Sequence, residues 1–157
     1  MKSSSMVQGT PPEAVLVVDA DQDYVKAIRA ALVDDVDHVE AVASISSAVT
    51  QLQGRGHRLV ILDCGLSGDP TPMDLARALR RTRPEVAVVM TSSVHLTSTQ
   101  KAACFEAGAD EFVEKPFHPQ EFAARVRAVN RRVRRSMSPS VAPASSEVEQ
   151  EEFRAIA

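Results

Sequence analysis

Leu59-Val60-Ile61-Leu62-Asp63 sets four consecutive apolar side chains directly before a carboxylate, and the architecture unfolds outward from that stretch. A strand with one wet face alternates polar and apolar residues, whereas an unbroken run is covered on both faces, as central strands of parallel sheets are. Ala14 to Val18 and Val86 to Met90 are runs of the same kind on either side of it. His38 to Val42 is a weaker strand and Glu111 to Glu114 a short fifth one.

The intervening segments carry a helical period. Tyr24, Val25, Ile28, Ala31 and Leu32 fall on one face, with Asp21 or Asp23 placed to cap the helix. A short helix near Ser47 to Leu52 is stopped by Gly54 and Gly56, and a third carries Leu75, Ala76 and Leu79 before Pro84. Thr99 to Ala107 ends at Gly108, and Pro119 opens a last helix with Phe122, Val126, Val129 and Val133 on one stripe. Repeated strand–helix alternation specifies an α/β fold, a three-layer, doubly wound, five-stranded parallel sheet sandwiched by helices. Such sheets bind ligands beyond the carboxyl ends of their strands.

With 157 residues, 44% hydrophobic and 25% charged, the chain has room for one domain, expected over residues 13–135. The polar ends, 1–12 and 136–157, have the Ser, Pro, Gly and Glu content of disordered segments. A formal charge of -3 gives no chain-wide attraction to nucleic acid or an acidic membrane. Cys64 and Cys104 make neither a CxxC pair nor a disulfide framework, so a reducing cytoplasm is the expected location and Cys64 reads as a small buried filler with no redox role. No apolar run is long enough for a bilayer, and the first residues lack the pattern of a signal peptide. The four histidines lack metal-ligand spacing.

Chemistry collects at the strand ends: Asp19 after the first strand, Asp63 after the third, Thr91, Ser92 and Ser93 after the fourth, Lys115 and Pro116 after the fifth. Carboxylates facing one ammonium and one hydroxyl suit phosphoryl transfer, in which positioning and charge neutralisation do most of the work. In this order VVDAD, VILDC, the hydroxyl cluster and GADEFVEKPF resemble the receiver domain of bacterial two-component response regulators, over about residues 13 to 135.

The resemblance implies the flavodoxin-like strand order 2-1-3-4-5. It makes Asp63 the phosphoacceptor and Lys115 the cation that meets the phosphoryl oxygens. Asp19, Asp63 and the carbonyl of Gly65 become ligands of Mg2+, and Ser92 the hydroxyl that reaches the phosphorylated aspartate, with Thr91 or Ser93 as alternatives because the stretch to Lys115 is one residue longer than usual. Phe112 becomes the aromatic switch, equally readable as core packing, and Pro116 follows a cis peptide. The partners implied are a histidine kinase or phosphotransfer protein and, on the face of helix four, strand five and helix five, a downstream protein target. Such a protein accepts phosphate rather than acting as an enzyme.

The pattern breaks after strand one, where receivers carry two adjacent acids and this chain has Ala20 second. Mg2+ is therefore expected to bind weakly. Asp21 either swings in to compensate or simply caps the first helix. Two functions follow: a receiver phosphorylated on Asp63, or a degenerate receiver serving as a phosphorylation-independent interaction module.

DxD, Ser/Thr and Lys in that order also match haloacid-dehalogenase-like phosphatases, with Asp19 as nucleophile, but that class needs a further acid pair and only Glu121 follows Lys115 before the tail. A flavin-mononucleotide binder needs a hydroxyl- or glycine-rich loop after strand one, and this loop is acidic. Six arginines between Arg125 and Arg135 read as a solvated helix face near a helix C-terminus, where cations are favoured. Glu147, Glu149, Glu151 and Glu152 in the tail are placed to fold back on it as a weak, salt-sensitive latch. With about twenty residues beyond the last helix, the expectation is a stand-alone receiver with no direct DNA binding and no membrane contact.

Overall fold

In the computed structural model, residues 14–54, 56–137 and 155 are described. Ten elements alternate in chain order: β1 Ala14–Val18, α1 Gln22–Leu32, β2 His38–Val42, α2 Ile45–Leu52, β3 His57–Asp63, α3 Pro72–Thr82, β4 Ala87–Ser92, α4 Ser98–Ala107, β5 Glu111–Glu114 and α5 Pro119–Ser136. The sheet order is β2-β1-β3-β4-β5, all parallel, as expected. Of the segment 136–157, Ser136, Met137 and Ala155 are the described residues, so the disorder expected there and at 1–12, and the glutamate latch, lie outside them.

The pleat sends alternate side chains to opposite faces. Leu16, Val18, Val60, Leu62, Val88, Met90 and Phe112 pack with α2, α3 and α4. Val15, Val17, Leu59, Ile61, Val89 and Val113 pack with α1 and α5. Every residue of β4 is buried, and so are Leu59 to Leu62 in β3, which is why these strands read as continuous apolar runs.

Polar residues carry some elements further than apolar patterning suggests. β3 starts at His57 and ends in Asp63, while β4 starts at Ala87 and runs through Thr91 and Ser92, which pair with Val113 and Glu114 of β5. α2 starts at Ile45 because the Ser44 hydroxyl accepts from the Ser47 amide. α3 follows a capping box of Thr71 and Asp74, with Pro72 in its first turn. Both Lys115–Pro116, as expected, and Asp69–Pro70 are cis.

The Gly-Ala-Asp turn before β5 is bound to the rest of the fold. Gly108 ends α4 at φ +125°, and a Cβ there would stand 2.9 Å from Arg80 Cβ and 3.0 Å from the Ala76 carbonyl. Arg80 donates to the Gly108 carbonyl at 2.6 Å and to Asp110 Oδ2 at 2.9 Å, and the same oxygen accepts from the Val88 amide at 2.8 Å. β5 is thereby tied to α3 and β4, which fixes where its carboxyl end, and Lys115, emerge.

Candidate functional site

Lys115 extends the ladder past β5, its amide donating to the Ser92 carbonyl at 2.8 Å, and Asp19 extends it past β1, its amide donating to the Val42 carbonyl at 3.0 Å. The alternation therefore continues through both. Asp19 follows Val15 and Val17, Asp63 follows Leu59 and Ile61, Thr91 follows Ala87 and Val89, and Lys115 follows Val113. All four lie on the α1/α5 face of the sheet, on four adjacent strands.

The ammonium and the two carboxylates meet. Lys115 Nζ donates to Asp19 Oδ2 at 2.5 Å and stands 3.7 Å from Asp63 Oδ1. The Lys115 side chain is 1% exposed, that of Asp19 2% and that of Asp63 12%, so the acid open to solvent is Asp63. Asp19 Oδ1 accepts from the Asp21 amide at 2.9 Å, so each Asp19 oxygen accepts one hydrogen bond. Asp63 Oδ1 accepts from the Gly65 amide at 3.2 Å. Burial holds the Asp63 carboxyl above the usual carboxylate range; the Gly65 amide and Lys115 oppose the shift and Asp19 reinforces it. Such a carboxylate gains from any added cation.

Asp21 does not turn toward this cluster. Its Oδ1 accepts from the Asp23 amide at 3.0 Å and the Tyr24 amide at 3.4 Å, so of the two expectations for it the helix cap is the one observed. The Ser92 hydroxyl donates to the Val94 carbonyl at 2.8 Å and accepts from the Val94 amide at 3.2 Å. Ser92 continues the face of Val88 and Met90, opposite the carboxylates. Phe112 is 8% exposed on that same face, with Lys101 Nζ 5.8 Å from its ring centre. Gly65 sits against the acceptor, where a Cβ would stand 3.5 Å from Asp63 Oδ2.

Three contacts carry no local sequence signal. Tyr24, readable only as part of an apolar stripe, lies under the ammonium with Lys115 Nζ 4.3 Å from its ring centre. Cys64 and Cys104 Sγ stand 3.9 Å apart, and burial, the second thiol and Asp63 push the Cys64 thiol up, which keeps it protonated. His57 and His38 both meet Glu40, at 2.7 and 3.4 Å. In the arginine-rich stretch of α5, Arg125 pairs with Glu121 at 2.9 Å and Glu111 at 3.6 Å, and Arg127 with Asp35 at 2.9 Å.

Whether the acidic residues fit Mg2+ turns on these contacts. Among the described residues no group of three or more His, Cys, Asp or Glu is arranged to hold a metal. Mg2+ nevertheless accepts one or two carboxylates when water and a phosphate supply the remaining oxygens. Asp63 Oδ2 has no hydrogen-bond partner among the described residues, and Gly65 is adjacent, so the donors fit a water-rich site with few protein ligands. No helix among the described residues is long and apolar enough to cross a membrane.

This geometry has a counterpart in known proteins. The family model of the response regulator receiver domain matches residues 15–127. The transcriptional regulatory protein KdpE of Mycobacterium tuberculosis is 33% identical over 118 residues, 75% of this chain and 51% of that protein. The regulatory protein VirG of Agrobacterium fabrum is 33% identical over 136 residues, 87% of this chain and 51% of that protein. The chain thus spans about half the length of these relatives. Among solved structures, the CheY-like receiver domain protein of Methanospirillum hungatei superposes with TM-score 0.71 at 18% identity, covering 80% of this chain and 98% of that one, a likeness of fold. The BeF3-activated receiver domain of DrrB, from Thermotoga maritima, superposes with TM-score 0.67 at 27% identity over 75% of this chain and 97% of that one. A flavodoxin-like sheet that brings an acid, a lysine and a second acid together at its carboxyl edge, matched by the family model over most of its length, makes this chain a member of the response regulator receiver family.

Proposed function

We propose that the chain takes a phosphoryl group onto Asp63 from a histidine kinase or phosphotransfer protein and signals through protein–protein contacts. The observation that carries this reading is the placement of Lys115 Nζ, 3.7 Å from Asp63 and hydrogen-bonded to Asp19. A carboxylate oxygen attacking an anionic phosphoryl group accumulates negative charge, and transfer is slow unless fixed cations offset it. The P–N bond of a donor phosphohistidine breaks as the P–O bond to Asp63 forms, and the imidazole leaves with the electron pair and is protonated. Asp19 and the Tyr24 ring hold Lys115 in place and exclude water from its ammonium, so that no side-chain ordering is needed at the moment of transfer.

Mg2+ supplies the remaining charge neutralisation when bound, with Asp63, the Gly65 carbonyl and, indirectly, Asp19 as the residues that would hold it. The loss of a second acid at Ala20 makes weak affinity the expected property. The BeF3-activated state of the DrrB receiver shows that a relative 27% identical takes up this phosphoryl mimic.

Ser92 would exchange Val94 for a phosphoryl oxygen, and Phe112 would follow it inward. Both lie on the α2–α4 face, next to a groove lined by Lys101, Phe105, Phe117, Glu121 and Arg125. Phe105 is 46% exposed there, and a downstream protein target would dock on it.

Phos-tag electrophoresis after treatment with phosphoramidate and Mg2+ tests the reading: the wild type gains a retarded band and Asp63→Ala does not. The second reading, a phosphorylation-independent interaction module in a cytoplasmic signalling system, is favoured by Ala20 together with the bonds that both Asp19 oxygens already accept, from the Asp21 amide and from Lys115. No retarded band and no beryllofluoride uptake at millimolar Mg2+ would overturn the first reading and leave the second.

A further inference from the structure

Cys64 and Cys104 are 40 residues apart in the chain, yet their sulfurs stand 3.9 Å from one another and both thiols are free. Cys64 immediately follows Asp63 and continues the face of Val60 and Leu62, half-buried at the rim of the α2–α4 compartment. Its amide donates to the Thr91 carbonyl at 2.8 Å, so its backbone is fixed to β4. Cys104 lies on α4 and is 3% exposed, and its carbonyl accepts from the Gly108 and Ala109 amides, which anchors the turn into β5. Closing the gap to the roughly 2.05 Å of a disulfide asks each sulfur to move by about 1 Å, within reach of small side-chain rotations.

We infer that Cys64 and Cys104 form a reversible disulfide when the chain meets hydrogen peroxide, and that this bond fastens α4 to the acceptor end of β3. The spacing of the two cysteines gives no sign of it, because the fold alone brings them together, and Cys64 is more than the filler expected from sequence. Cys64, the more exposed thiol, reacts first: its sulfur attacks one peroxide oxygen, the O–O bond breaks, and the departing hydroxide leaves as water with the thiol proton. The product is a sulfenic acid. The Cys104 sulfur then attacks the Cys64 sulfur, the S–S bond forms as the S–O bond breaks, and the second hydroxide leaves as water with the Cys104 proton. Two thiols lose two electrons and the peroxide gains them; a small dithiol reverses the bond by exchange. The Cys64 thiol is protonated at rest, so dilute peroxide reacts slowly and the bond answers to oxidative load.

The bond bears on signalling because it joins two parts that the receiver reading moves relative to each other, the acceptor loop and α4. That restraint rests on the receiver reading, whereas the bond itself does not.

The test uses the wild-type full chain, denatured and alkylated with iodoacetamide before and after millimolar hydrogen peroxide. The reduced chain takes up two alkyl groups, one per cysteine. The oxidised chain is expected to take up none, to run as a monomer on non-reducing electrophoresis, and to recover both after dithiothreitol. Cys104→Ser is expected to stop at the sulfenic acid, trapped by dimedone on Cys64, and Cys64→Ser to keep its buried Cys104 reduced. Two alkylatable thiols surviving in the wild type, a disulfide between chains, or a sulfinic acid on Cys64 with Cys104 still free would overturn the inference. Hydrogen exchange with beryllofluoride and Mg2+ then reads the restraint: the acceleration at α4 in the reduced chain is expected to fall roughly ten-fold in the disulfide form. Equal acceleration in both forms overturns the restraint. If the reduced chain takes up no beryllofluoride, the receiver reading and the restraint fall together, while the thiol count still decides whether the bond forms.

Discussion

Removing the ammonium of Lys115 would leave Asp19, 2% exposed, as a buried carboxylate held by one backbone amide. Breaking a buried pair from one side is strongly destabilising because the other charge stays behind, so Lys115→Ala is expected to cost about 3 kcal/mol in urea unfolding at neutral pH. Asp19→Ala should cost less, since Lys115 keeps Asp63 at 3.7 Å and the Tyr24 ring. The double variant should be clearly more stable than the sum of the two losses predicts, and additivity would show that the pair is not coupled. Asp63 behaves in the opposite sense. Its carboxyl is held above the usual range by burial, so its charged form is disfavoured in the folded state and folding pays a penalty that is fully present above the folded pKa. Asp63→Asn removes it and should gain about 1 kcal/mol at pH 7, a gain that shrinks as the pH falls and the wild-type carboxyl takes up its proton. An Asn variant no more stable than wild type at neutral pH would contradict this account of the site. The raised carboxyl and the orphan Thr91 hydroxyl each cost stability, whereas the encased ammonium is held by its pairing with Asp19.

At the scale of elements, the strands that read most clearly are those buried on both faces, because nothing polar interrupts them. Where the sequence misplaces their ends, the cause is the chemistry itself: Asp63, Thr91 and Ser92 are polar, so apolar patterning stops short, yet the ladder continues through them to Val113 and Glu114. Asp19, Asp63 and Lys115 were legible because strand ends are where this architecture puts ligands. Tyr24 under Lys115 and the meeting of His57 with Glu40 were not, since each joins residues distant in the chain and no local period records such a contact. The Gly-Ala-Asp turn was legible as a motif, but its physical demand emerges only from packing: Gly108 has φ +125° and no room for a methyl between Arg80 Cβ and the Ala76 carbonyl. Gly108→Ala is therefore expected to cost about 3 kcal/mol, conformational strain and collision with α3 acting together. Thr71→Ala, which removes only the capping-box hydroxyl of α3, should cost about 1 kcal/mol. Chemical denaturation of the two variants measures the contrast, and a Gly108→Ala loss no larger than that of Thr71→Ala would mean α3 and the turn can separate freely.

The sheet divides the whole molecule into two compartments with different tasks. Asp19, Asp63 and Lys115 belong to the α1/α5 compartment, whereas Ser92 and Phe112 belong to the one shared by α2, α3 and α4. On the proposed reading, a phosphoryl group on Asp63 would lie at the carboxyl edge of the sheet and would change the second compartment only if Ser92 gave up Val94 to reach it. That exchange has a local signature. The Val94 amide loses its acceptor, the Ser92 hydroxyl at 3.2 Å, and the chain leading to the Thr97 cap of α4 loses an anchor. With beryllofluoride and Mg2+, hydrogen exchange should therefore accelerate at Val94 and over the first turn of α4, while the amides of Val25, Ile28 and Leu32, packed in the other compartment against α5, keep their protection. The Lys101–Glu114 ion pair joins α4 to β5, so the change should extend to Glu114 and not to β2. Protection changes confined to residues 63–66 and Lys115 would mean that the anion is held without moving α4, and the α4–β5–α5 face would then lose its claim to be the output surface.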